Sequence, residues 1–142
     1  MEMKTLVPVD NSVTSDRTLE KIITLKVHFS NELTLLHVVD IDKLAYRMIP
    51  DFQLDMIRKN AVEAGQQLLD TKASILKKAG FSVQTRLELG TPRQIICTIA
   101  IDEKFQLMVI GRHEGTGEIR DVLFGSVANF VLHNVGCPVL LF

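Results

Sequence analysis

Short, nearly continuous apolar runs alternate along this chain with longer stretches whose apolar residues recur at helical spacing. Runs of that kind need burial on both faces, and the intervening helices supply it, so the pattern specifies a parallel sheet with helical crossovers. The runs are Thr5 to Val9, Leu33 to Val39, Gln106 to Ile110 and Cys137 to Phe142. Phe81 to Leu89 is different. It alternates Phe, Val, Thr and Leu with Ser, Gln, Arg and Glu, as a strand with one wetter face at a sheet edge does.

Between the runs, Asp10-Asn11-Ser12 is a turn whose polar side chains can cap a helix, and Leu19, Ile22, Ile23, Lys26 and Val27 make the inward stripe of that first helix. The longest helix is expected from Asp51 to Ala79, with Leu54, Ile57, Ala61, Ala64, Leu68, Ile75 and Leu76 facing the core and Gly80 at its C-cap. Thr91 as N-cap and Pro92 as first helical residue open another. Ser126 to Val135 is the last, its apolar face being Val127, Phe130, Val131 and Val135. Asp40 to Pro50 and Gly111 to Gly125 read as connections. Residues 1–142 therefore form one doubly wound α/β domain with no repeat or linker. Right-handed crossovers bring the loops beginning at Asp10, Asp40, Gly90 and Gly111 to the carboxyl ends of the strands, over one crevice.

Composition narrows the function. Sixteen basic against seventeen acidic residues leave a formal charge of −1, without the basic excess that phosphate-backbone binding requires, so nucleic acid is not the expected partner. The longest apolar runs fall far short of the ~18–20 residues needed to cross a bilayer, and Met1 to Pro8 lacks the pattern of an export signal. Neither a membrane nor secretion is expected. Cys97 and Cys137 sit in apolar stretches as buried small hydrophobes, which fits a reducing cytoplasm.

The chemistry concentrates in Val109-Ile110-Gly111-Arg112-His113-Glu114-Gly115-Thr116-Gly117, succeeded by Gly125-Ser126-Val127 at a helix start. Glycines let a backbone close on an anion, and a helix N-terminus offers unpaired amides and the positive end of the dipole. The stretch reads either as a phosphate cradle or as a surface loop. Arg112 and His113 are placed to face phosphate oxygens or simply to be solvated. Asp10, ending the first strand, can accept a hydrogen bond from a ligand amine or ribose hydroxyl, or cap the next helix. There is no Gly-x-x-x-x-Gly-Lys-Ser/Thr sequence, no dinucleotide fingerprint after the first strand, and no Gly-x-Ser-x-Gly elbow around Ser126. The four histidines show no metal-ligand spacing, so no protein-held metal is expected; His37 reads as a hydrogen-bonded core histidine.

Leu6-Val7-Pro8-Val9-Asp10-Asn11-Ser12, Leu33 to Asp40, Leu107 to Gly111, Gly125-Ser126-Val127 and Cys137 to Leu141, taken in order, resemble the universal stress protein family from Lys4 to Phe142. The resemblance implies a five-stranded parallel sheet of order 3-2-1-4-5 with helices on both faces, often dimeric, and binding of ATP, for which Mg²⁺ held mainly by the phosphates is expected. In that order the strand Cys137 to Phe142 is an edge, apolar at successive positions with one row of backbone groups unpaired, so a homodimer is expected to be built on it. In the family's nucleotide-binding branch the motif is Gly, two residues, Gly, nine residues, then Gly-Ser or Gly-Thr. The matching positions are Gly111, Gly115, Gly125, Ser126 and Val127, with Ile110, Arg112 and His113 beside them. Asp10 matches the aspartate that meets adenine, and Pro8, Val9 and Val38 line the base pocket. The chain departs at one point: three residues, Arg112, His113 and Glu114, separate the first two glycines. That sets a carboxylate beside the phosphate position. The expected function is a dimeric regulatory stress-response protein that binds an adenine nucleotide. The competing readings are a nucleotide-free interaction module of the same fold and a slow ATP hydrolase, the latter disfavoured because the cradle holds no evident general base or lysine for in-line transfer.

Overall fold

A computed structural model describes residues 3–41, 50–112 and 125–142. In chain order the elements are β1 (Thr5–Pro8), α1 (Val13–Thr24), a 3-10 turn (Lys26–His28), β2 (Glu32–Asp40), α2 (Asp51–Lys78), β3 (Ser82–Gly90), α3 (Pro92–Asp102), β4 (Leu107–Ile110), α4 (Ser126–Asn134) and β5 (Val139–Leu141). All pairings are parallel and the order is β3-β2-β1-β4-β5, so the expected single doubly wound domain is the observed one. The strand order reverses beside β1, which opens a crevice between the loops leaving β1 and β4.

The strands' two-residue period explains why the central runs are apolar at both parities. Leu6, Leu36, Val38, Met108 and Ile110 point to one face, packing with Ile96, Cys97 and Ala100 of α3 and Ala128 and Val131 of α4. Val7, Leu33, Leu35 and Val109 point to the other, against Leu19 and Ile22 of α1 and Leu69, Ala73 and Leu76 of α2. At β5, Val139 and Leu141 join the first layer while Leu140 and Phe142 join the second. β3 lies at an edge and carries the wetter pattern expected of it.

Four details differ from the expectations. First, α1 stops at Thr24, and Val27 is 88% exposed, so the inward stripe is Ser15, Thr18, Leu19 and Ile22. Lys26 instead donates to the Ala79 carbonyl at the end of α2 (2.7 Å), where a cation complements the helix dipole. Second, the core face of α2 is Gly65, Leu69, Lys72, Ala73 and Leu76, one step round the helix from the expected stripe, of which only Leu76 is buried. Gly80 lies one residue beyond the C-cap, at φ 98°, where Gly80 N–H bonds to the Lys77 carbonyl and Phe81 N–H to that of Leu76, the paired bonds of a Schellman ending. Third, α4 buries Ala128 and Val131, while Val127 faces the crevice. Fourth, β5 is shorter than Cys137 to Phe142, although the Pro138 carbonyl and Phe142 N–H still bond to Met108 and Ile110 of β4.

Candidate functional site

The crevice at the reversal point has a volume of about 1260 Å³, ample against the roughly 300–1,000 Å³ of a pocket for one small ligand. Of the residues singled out from the sequence, Pro8, Val9, Asp10, Val38, Ile110, Gly111, Gly125, Ser126 and Val127 all line it. Arg112 does not: its N–H donates to the Phe142 carbonyl (2.8 Å) and its own carbonyl accepts from the Arg17 guanidinium (2.6 Å), which ties it to the β4–β5 end. His113 and Gly115 lie outside the described residues.

Asp10 comes directly after the end of β1. Its Oδ1 accepts from Ser12 N–H (2.9 Å) and from the Ser15 hydroxyl (3.0 Å), and its own N–H donates to Ser15 Oγ (2.8 Å). Ser12 caps α1 by accepting from Ser15 N–H at 3.2 Å. One carboxylate oxygen thus shapes the turn, while Oδ2 accepts no hydrogen bond from the described residues. The two roles open to Asp10 are compatible, one on each oxygen.

Opposite stands the start of α4. Gly125 is its N-cap at φ 97° and ψ 151°, a left-handed φ that favours glycine, and its carbonyl accepts from Asn129 N–H at 2.9 Å. First-turn amides of a helix have no partner within it, and Ser126, Val127 and Ala128 all line the crevice. Gly111 has a different reason to be glycine. A Cβ there would collide with the Thr18 hydroxyl and with Thr14 of α1, so the residue permits close contact between β4's exit and α1.

Several lining residues carry no motif. Ala61, Ala64, Leu68, Thr71 and Ile75 form one wall along α2, which accounts for the apolar stripe that does not enter the core. Lys72, beside it, is ion-paired to Asp16 of α1 at 2.7 Å, with the lysine side chain 6% and the aspartate 64% exposed. His37 Nδ1 meets the Val9 carbonyl at 2.9 Å. Arg93 also lines the crevice and lies over the Phe130 ring, 5.4 Å from its centroid. Cys97 and Cys137 are free thiols whose pKa values burial pushes up, so they are poor nucleophiles. Among the described residues no three His, Cys, Asp or Glu side chains are grouped to hold a metal ion. No helix among them is long and apolar enough to cross a membrane.

Fold and crevice together define a doubly wound α/β domain with a carboxylate and a helix N-terminus facing one space. The chain belongs to the universal stress protein family, whose model matches residues 1–142. It is 28% identical over 155 residues to universal stress protein MJ0577 of Methanocaldococcus jannaschii, covering 99% of this chain and 94% of the relative. The solved structure of MJ0577 superposes with a TM-score of 0.82 at 25% identity, over 99% of this chain and 96% of that one. A universal stress protein from Archaeoglobus fulgidus, solved in complex with dAMP, shares the fold with a TM-score of 0.67 at 22% identity, over 98% and 96% of the two chains.

Proposed function

We propose that this protein binds an adenine nucleotide, ATP with Mg²⁺ held mainly by the phosphates, and serves as a homodimeric regulator of a stress response in the cytoplasm. One observation carries the reading: Asp10, whose Oδ2 accepts no hydrogen bond from the described residues, and the N-terminus of α4 line the same crevice. Adenine presents an exocyclic amine where guanine presents a carbonyl oxygen, so a carboxylate acceptor favours adenine. Pro8, Val9 and Val38 supply the apolar surface for the base. Gly125, Ser126 and Val127, with Ile110 and Gly111 beside them, take the phosphates through backbone amides and the helix dipole. The Arg112 backbone is engaged with Phe142 and Arg17, which leaves its guanidinium as the group that would reach the phosphates. The bound dAMP of the Archaeoglobus relative supports an adenine nucleotide as the ligand class. Hydrolysis is not proposed: among the described residues, the lysine and arginine that line the crevice are held elsewhere, Lys72 by Asp16 and Arg93 over the face of Phe130.

Titration calorimetry with Mg²⁺-ATP and Mg²⁺-GTP tests this. ATP should bind more tightly, and Asp10→Ala should lose that preference while keeping most of the affinity due to the phosphates. No heat with either nucleotide at millimolar concentration would move the function to the dimer surface.

A further inference from the structure

The peptide joining Val9 to Asp10 lies just past the β1 ladder, and it is held at both ends by side chains. Its N–H, that of Asp10, donates to Ser15 Oγ at 2.8 Å. Its carbonyl, that of Val9, lies 2.9 Å from His37 Nδ1. A carbonyl oxygen can only accept, so Nδ1 carries the proton and the tautomer is defined. Strand pairing stops one bond short of this peptide, at Val9 N–H to the Leu36 carbonyl (2.8 Å). The histidine, next along β2, therefore continues the pairing with its ring.

The ring is itself held in place. Gly65 of α2 passes so near that a Cβ there would stand 2.9 Å from His37 Cδ2 and 2.9 Å from Leu87 Cδ1. A glycine inside a 28-residue helix costs about 0.5–1 kcal/mol against alanine, and what it provides here is room for this ring.

We propose that His37 is the positioning residue for base recognition: by holding the Val9 carbonyl it sets the direction in which Asp10 offers Oδ2 to the exocyclic amine of adenine. The inference rests on the adenine-nucleotide reading of the crevice. With His37 in place the Val9–Asp10 peptide plane is pinned from two sides. Without it the carbonyl end of the plane is released, and the carboxylate keeps only the Ser12 and Ser15 bonds to Oδ1, which fix that oxygen but leave the peptide behind it free to tilt and Oδ2 to change direction. Phosphate binding at α4 does not depend on this peptide.

The test compares ATP and GTP affinities by calorimetry for the unmutated chain, His37→Asn and His37→Leu. Asparagine places an amide N–H where Nδ1 stands; leucine keeps comparable bulk and has no donor. His37→Asn should keep the preference for ATP. His37→Leu should lose about three- to tenfold of it, the worth of one hydrogen bond, with the ATP-to-adenosine affinity ratio unchanged. Undiminished preference in the leucine variant would overturn the inference, as would equal damage in the asparagine variant. If circular dichroism shows that the leucine variant does not fold, the asparagine variant alone decides, since a role through ring volume requires it to fail. An unmutated chain that binds neither nucleotide would overturn the adenine-nucleotide reading together with this one, whereas binding that ignores residue 37 overturns this one only.

Discussion

Lys72 shows how much one residue's setting decides. On α2 it occupies a core-facing position between Leu69 and Leu76, with its stem buried and its ammonium ending on Asp16, which stands largely in water. A buried charge is costly chiefly when its partner is removed, whereas exchanging it for an apolar side chain of similar length is close to neutral. Asp16→Asn should therefore destabilise the protein by about 1–3 kcal/mol, and Lys72→Met should change stability by less than about 1 kcal/mol. Urea unfolding of the two variants measures the difference. The reverse order would mean that water, reaching the nitrogen past the exposed aspartate, already solvates it. A lysine gives no sign in the sequence that it will be inside; its partner lies 56 positions away. His37 was legible as a hydrogen-bonded histidine, yet its acceptor, Val9, was not, and it is half-buried on the crevice wall and not in the core as expected.

At the scale of elements, Gly111 and Gly125 separate two demands that look alike in a glycine-rich stretch. Gly125 needs its left-handed φ to start α4. Gly111 needs the absence of a Cβ, because Thr14 and Thr18 of α1 sit against it, Thr14 with its backbone carbonyl as well as its side chain. Gly111→Ala should push α1 from the end of β4 and lower stability by about 1–3 kcal/mol, the usual penalty of overpacking. Thermal unfolding monitored by circular dichroism should show the loss without nucleotide present. A variant as stable as the parent would show that α1 shifts freely. The same packing logic explains α2. Its apolar arc is wide enough to read as two stripes, and a helix with such an arc can seat either one on the sheet. Ala61, Ala64, Leu68 and Ile75 line the crevice, and Gly65, Leu69, Ala73 and Leu76 enter the core. The presence of Gly65 beside His37 and Leu87 shows which side approaches the sheet closely.

The whole molecule has two unlike edges. β3 carries Gln84, Arg86 and Glu88, with Arg86 bonded to both Glu88 and Glu103, and the Glu103 bond foremost raises its pKa. Such a charged edge resists pairing with another chain. β5 is short, apolar at every position and only half-buried. Two-fold pairing of β5 with its counterpart in a second copy would satisfy its outer backbone groups and cover Phe142, the commonest kind of closed contact. Light scattering at tens of micromolar should give twice the chain mass, with little dependence on salt because the contact is apolar. A monomer would defeat the dimer. Truncation before β5 is a poor probe, since Val139 to Phe142 also complete both core layers.

What the amino-acid order determined by itself is whatever short-range physics controls. Burial on both faces produced the runs that became β1, β2 and β4, the Thr91-Pro92 and Gly80 signals marked helix ends, and Asp10 and Gly125-Ser126 announced themselves by type and position. Handedness of crossovers then brought those two sites to one crevice. Only the tertiary structure decided which side of α2 meets the sheet, why Gly111 is glycine, that Lys72 is inside, and that His37 holds the peptide before Asp10. Each of these depends on an atom contributed by a distant segment, and periodicity along one element carries no information about the neighbour that will arrive beside it.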